Sequence, residues 1–388
     1  MRRIILIFSM LFVLLSGAQA KKLSNESKVY LMTVGPYYKD FASIWGHVAI
    51  WIEDKPNGID KVYNYGGAAY GGNFMLKLVT GNLTFFLDTH QTFQQELKTY
   101  KRAERDVDLY ELNLNILEKR RLYNLLEQNA KNENRYYNYE FYLRNCATFT
   151  MNAIKKSIVG KIVYEDTQND ITYRDICDDK FQLFPWTNFL IQLIAGTNND
   201  KKLELEEIFF VPVYMVDNLQ KAKIVNRGGE KPFFKNHKVI YDFPDMTITN
   251  SLTQKPIFPI SILFIIEILL FAFSYIKSKN YFKIYDRLWF ILASLFSLFL
   301  LFTMLFTDYV VTKWNLNLLW LNPLFILTFF LKEERKKMIF KIISVMILIV
   351  LLGFAILPQT FYLVNLLLAA ILLLKSLKYG FLFDRFNK

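Results

Sequence analysis

Histidine and cysteine are scarce in this chain of 388 residues, which holds three of the first and two of the second. Two cysteines allow one disulfide at most, so a disulfide-stapled framework is excluded. Three histidines, His47, His90 and His237, leave few side chains able to take a proton near neutral pH. Wall-anchoring modules are also missing, and no metal or other cofactor is expected. A formal charge of +12 raises the question of nucleic acid, but many of the basic residues fall in short loops between apolar runs. Those loops orient a membrane protein, the remaining lysines cover a surface, and no nucleic-acid partner is inferred.

What the chain has in quantity is apolar side chains, 53% of the total, and they are unevenly spread. The first twenty residues, with Arg2 and Arg3, an apolar run from Ile4 to Leu15 and small residues at Ala18 and Ala20, read as a secretory signal peptide cut after Ala20. Residues 21–255 are mixed and charged, and from Pro256 to the end long apolar runs alternate with basic loops. Five spans are expected, at Ile257–Ile276, Leu288–Thr307, Leu316–Leu331, Ile339–Leu357 and Thr360–Leu374, the third and fifth short for a bilayer core. Lysines and arginines follow the first, third and fifth spans, while the loops after the second and fourth carry Lys313 alone. The positive-inside rule then puts the basic loops in the cytoplasm and residues 21–255 on the periplasmic side of a bacterial inner membrane.

In the exported part, Lys28–Gly35, Gly46–Asp54 and Lys61–Gly67 alternate as strands, with a turn around Pro56-Asn57-Gly58. A helix is expected over Ile116–Lys131 and a second from about Asn138 to Ile154, so the domain is α+β. The stretch from Ile158 to Lys255 is less regular and receives no firmer assignment.

Cys146, in "YLRNCATFT", has three readings: a core residue, half of a disulfide with Cys177, or a nucleophile. At a helix start, backbone N–H groups and the positive end of the dipole favour a thiolate. A nucleophilic thiol needs a base, and His47 at the head of the strand "GHVAIWIED" is the candidate, with Gly46 beside it. His90 and His237 sit in polar, loop-like settings. Within the apolar half, Asn315, Asn317 and Asn322 read as caps and interhelical donors or as the lining of a lipid site, and Glu267 inside the first span marks a costly buried charge.

The order histidine strand, polar residue on the next strand, cysteine on a later helix resembles the circularly permuted papain-like proteins of the NlpC type. Lecithin retinol acyltransferase and its relatives belong there, and "NCATF" (Asn145–Phe149) matches their "NC..F" motif. A resemblance that covers nearly the whole chain rests on "SIWGHVAIWIED", "VYNYGG", "RYYNYEFYLRNCAT", "TYRDI", "AGTNND", "FFVP" and "NLNLLWLNPL". In that order they resemble the Lnb family of lipoprotein N-acyltransferases of Bacteroides, which has a periplasmic N-terminal domain and a five-helix membrane domain.

The resemblance implies transfer of an acyl chain from a membrane phospholipid, through a thioester on Cys146, to the α-amino group of the N-terminal diacylglyceryl-cysteine of a lipoprotein. It implies Cys146 as nucleophile and His47 as base, with Asn64 or Tyr65 as third member and Asn145 in support. Asn64 is favoured because a side-chain carbonyl can hold the imidazole tautomer. The permuted acyltransferases usually carry a second histidine there, and this chain has none. Two other readings remain at this point: a membrane-anchored NlpC-type wall peptidase, and a non-catalytic membrane scaffold with a Cys146–Cys177 disulfide.

Overall fold

The alternation in "HVAIWIED" is apolar on both faces, and that is why the strand becomes the centre of a sheet rather than its edge. In the computed structural model, which describes residues 22–39, 43–68, 71–165, 170–244 and 251–386, a seven-stranded antiparallel sheet forms the exported part. The expected signal peptide, residues 1–20, lies outside the described residues. Strands β1 (Lys28–Val34), β2 (His47–Asp54) and β3 (Ile59–Ala68) are followed by helix α1 (Phe74–Val79), β4 (Thr84–Asp88), α2 (Phe93–Arg102), β5 (Val107–Leu112), α3 (Ile116–Asn129) and β6 (Tyr136–Asn138). Helices α4 (Cys146–Ser157), α5 (Tyr173–Lys180), α6 (Pro185–Ile194) and α7 (Pro212–Lys221) come next, with the short strands β7 (Lys161–Val163), β8 (Lys223–Asn226) and β9 (Gly229–Pro232) in a separate sheet. Strand β10 (Phe234–Tyr241) closes the large sheet, whose order is β10-β5-β1-β2-β3-β4-β6.

Period-two alternation sorts the core into two layers. Val48, Ile50, Ile52, Tyr63 and Tyr65 pack with α3, α4 and α7, and Ala49, Trp51 and Val62 pack with Phe93, Leu97 and Tyr100 of α2. Ile50 is fully buried at the middle of the sheet, where Ile50→Ala would cost about 2–5 kcal/mol. The turn at Pro56-Asn57 ends with Gly58 at φ 63°, a left-handed position that suits glycine.

The expected helix from Asn138 starts instead at Cys146. Glu140, fully buried, accepts backbone bonds from Tyr142 (2.9 Å) and Leu143 (2.7 Å), which holds the preceding residues in a turn. Asn145 then caps α4, its side chain accepting from the N–H groups of Ala147 and Thr148 at 3.0 Å each.

In the membrane part, α8 (Ile257–Ile276), α9 (Lys283–Phe306) and α11 (Leu363–Gly380) are long and apolar enough to cross a bilayer. Helix α10 (Glu333–Gly353) opens on the charged turn "EERKK", turns apolar from Met338, and packs along α11. The expected third span differs: Leu316–Leu319 and Pro323–Phe329 are 3-10 turns, not an α-helix. Pro323 removes a donor, and the Asn315 and Asn322 side chains accept from Asn317 N–H and Leu324 N–H at 2.9 Å each, so local side-chain bonds replace the helical ladder. Irregular backbone at this depth is tolerated because Trp320, Leu321 and Phe325 bury it inside the bundle.

Glu267 is paired. Lys375 bridges Glu267 (2.8 Å) and Asp286 (3.0 Å), and Lys378 reaches the other oxygen of Asp286 at 3.0 Å. Tyr379 and Asn280 add hydrogen bonds to Asp286, and Tyr285 donates to Glu267. Two acids and two lysines therefore tie α8, α9 and α11 together with their charges matched.

Candidate active site

His47 opens β2 on the face that packs with α2, and the next strand brings Asn64 beside it. The imidazole Nε2 lies 2.8 Å from Asn64 Oδ1. That oxygen also accepts from Gly66 N–H at 2.7 Å, while Asn64 Nδ2 donates to Glu96 of α2 at 3.3 Å. With the amide so fixed, Nε2 is the protonated nitrogen and Nδ1 carries the lone pair. Gly66 is required for space: a Cβ there would meet His47 Cε1 at 2.5 Å. Glu96 passes the network to Tyr100, and burial holds its carboxyl above the usual range.

Cys146 arrives from the opposite layer, as the first residue of α4. Its thiol lies close to the backbone N–H of Val48, the residue after His47, and to those of Ala147 and Cys146 itself, all of which favour the thiolate. The structure therefore gathers Cys146, His47 and Asn64 at the start of β2, with Arg105 near enough to act on both the thiol and the imidazole. Arg105 is anchored by a bond from Nε to Gly35 O at 2.8 Å.

The thiolate expected from the helix dipole gives way to burial. Desolvation raises the Cys146 thiol above its ordinary value, outweighing the three N–H groups and Arg105. Desolvation, helped by Arg105, holds His47 down at about 4, against the opposing bond to Asn64. At neutral pH the site thus holds a thiol and an uncharged imidazole, not an ion pair.

The other sequence candidates are placed as follows. Tyr65 points into the layer opposite Asn64, where its hydroxyl accepts from Asn129 at 2.7 Å and its ring stacks on Phe149, so it is not brought to His47. Asn145 acts as the cap of α4 and ties it to the chain at Phe210 O (2.9 Å). Cys146 and Cys177 are both free thiols, so the disulfide of the scaffold reading is not formed. Burial pushes the Cys177 thiol up to about 12, against the opposing contact with the Tyr142 hydroxyl. His90 pairs with Asp88, and His237 with Asp108 at 2.7 Å.

Sequence reading missed Glu96, Arg105 and Glu140. For Glu96 a signal existed: it interrupts the stripe Phe93, Leu97, Tyr100 on the buried side of α2. Among the described residues no group of histidine, cysteine or acidic side chains could hold a metal ion.

Two family models match the chain in order: the Lnb N-terminal periplasmic domain over residues 18–178 and the Lnb transmembrane domain over residues 248–385. The chain belongs to the Lnb family. It is accordingly a membrane protein with a periplasmic N-terminal domain, and the sheet with Cys146 and His47 lies within the matched periplasmic region. No curated protein and no solved structure matches it.

In this Lnb-family chain the loop that carries the cysteine rests on the membrane domain. Glu140 Oε1 accepts from Val310 N–H at 3.3 Å, and Phe141 packs on Tyr309 with ring centroids 5.6 Å apart. Both partners follow within four residues of the end of α9 at Phe306. A second seam joins α6 to the bundle, with Asn315 and Asn317 donating to Leu193 O at 3.0 Å each, and Gly196 N–H to Val311 O at 2.8 Å.

Proposed function

We propose that this protein is a lipoprotein N-acyltransferase that takes an acyl chain from a membrane phospholipid onto Cys146 and passes it to the α-amino group of a diacylglyceryl-cysteine. The observation that carries this reading is the seating of the Cys146 loop on Tyr309 and Val310, which sets a cysteine–histidine pair against the end of a membrane span. Donor and acceptor are both lipids held in the bilayer, so a nucleophile at that level meets each without extracting it.

In the first half, Cys146 attacks the ester carbonyl while its proton passes to His47 Nδ1. The backbone N–H groups of Val48 and Cys146 are the donors at hand for the oxyanion. Collapse breaks the ester C–O bond, the leaving alkoxide takes the proton from His47, and lysophospholipid departs from a thioester. In the second half the lipoprotein amine attacks the thioester, His47 accepts its proton, and the thiolate leaves and recovers that proton. Asn64 keeps the imidazole in the tautomer that both halves need, and burial of the site keeps water from the thioester.

The arrangement of histidine strand, asparagine strand and cysteine helix fits a permuted papain-like domain, which we place at residues 21–255, with the membrane domain at residues 256–388. We read the 3-10 segment as one of five crossings.

Expression in cells that cannot triacylate their lipoproteins, followed by mass spectrometry of a reporter lipopeptide, tests the reading. One added acyl chain is expected with the wild type and with Cys177→Ser, and none with Cys146→Ser. Absence of the chain with the wild type, or its presence with Cys146→Ser, overturns it.

A further inference from the structure

Helices α1 and α6 present apolar faces that the fold does not cover. On α6, "PWTNFLIQLI", there is no charged side chain, and Trp186 and Leu190 are 47% and 46% exposed. On α1, Met75 and Leu76 are 58% and 64% exposed. Neither helix is remote from the bilayer. Leu193, at the C-terminal end of α6, belongs to the apolar core of the membrane bundle, and Tyr309 donates to Leu78 O at the end of α1 at 2.6 Å. Gly81, just past α1, lies against Thr307, with room for a Cβ only at 3.0 Å.

We infer that α1 and α6 are seated in the acyl layer of the periplasmic leaflet, as two interfacial segments of a domain otherwise outside the membrane. The occupant is lipid because these faces continue the apolar surface of the bundle at the level where α9 ends. A tryptophan at one end of an uncharged apolar helix is the composition of an element lying in the interface plane. Both segments lie close in the chain to the site. Helix α1 follows the strand that carries Asn64 and Gly66, and α6 follows Phe181, which packs edge-on against Trp45 two residues before His47. Resting on the acyl-transfer reading, one consequence is that donor chains approach Cys146 sideways from the leaflet.

The test uses the full chain in phospholipid nanodiscs and does not depend on activity. In a Cys146→Ser background, with the buried Cys177 left in place and shown not to label, nitroxides are attached at Leu76→Cys and Leu190→Cys. Ile265→Cys on α8 and Val239→Cys on β10, both exposed, serve as lipid and water references. Collision with oxygen and with a water-soluble nickel chelate is read for each label. The expected result is that Leu76 and Leu190 follow Ile265, with oxygen collisions dominant and nickel collisions suppressed. A nickel-accessible profile like that of Val239, or protection from both reagents as under a protein partner, overturns the inference. Met75→Cys and Trp186→Cys report the same two faces if either first variant fails to fold.

Discussion

Glu140 accepts a hydrogen bond from the backbone N–H of Val310 with one oxygen and from Tyr142 and Leu143 with the other, so one fully buried carboxylate shapes the cysteine loop and fastens it to the membrane bundle. Glu140→Ala leaves three amides without their acceptor and is expected to cost about 2–4 kcal/mol. Thermal unfolding in detergent measures the loss. Glu140→Gln, which keeps one acceptor oxygen, should fall between Glu140→Ala and the wild type.

Gly66 leaves no space for a side chain beside the imidazole, whereas Gly71 meets nothing within 4 Å. Gly66→Ala should therefore displace His47 and lower kcat by a factor approaching that of His47→Ala, about 10²–10⁴. Gly71→Ala should leave kcat near the wild-type value. Equal activity in the two variants would count against His47 as the base.

The pH profile follows from the His47 value of about 4. A general base works unprotonated, so its lowered value keeps it competent as pH falls through 6.5, and kcat/KM should decline only as pH approaches about 4. Arg105→Gln removes a cation that opposes the imidazolium, so the acid limb should move upward. A wild-type limb near 6.5 would contradict the buried, neutral imidazole.

Asn64 acts through His47, so its removal should appear in kcat while KM is retained. Asn64→Ala frees the ring to change tautomer, and Asn64→Gln should not restore it, because the longer side chain loses the bond from Gly66 N–H. Glu96→Gln keeps an acceptor for Asn64 and should stay near the wild type. A mainly structural role for Asn64 would move the melting temperature and KM instead.

At the second seam between the domains, a Cβ on Gly196 would lie 1.9 Å from the carbonyl oxygen of Lys313. Gly196→Ala is expected to part α6 from the bundle. Acyl transfer in membranes should be lost while Cys146 still reacts with a small alkylating agent, and proteolysis near residue 196 should accelerate. Unchanged transfer would show that the seam is not needed for the reaction.

Much of this was legible in the chain because local signals and tertiary structure agree. The strand "HVAIWIED" alternates as it folds, α3 runs Ile116–Asn129 against an expected Ile116–Lys131, and Asn64, on the strand expected beside His47, lies 2.8 Å from its imidazole. Failures arose where a distant partner overrides local preference. The start of α4 moved to Cys146 because Glu140 gathers amides from the turn, and one of those contacts is 170 residues away in sequence at Val310. Arg105 reaches the site from the end of α2 by an anchor to Gly35, a contact without any periodic trace. The 3-10 segment has span-like composition, and only its asparagine-to-backbone bonds reveal that it is not an α-helix.

The matched charges of Glu267, Asp286, Lys375 and Lys378 bear on how the protein is made. Both lysines belong to a helix translated after the two that hold the carboxylates. Without that helix the two carboxylates have no counter-ion within the apolar bundle, which is costly. Closure of the bundle therefore waits on that helix, and a Lys375→Ala, Lys378→Ala chain is expected to accumulate in membranes to a lower level than the wild type, as immunoblotting measures.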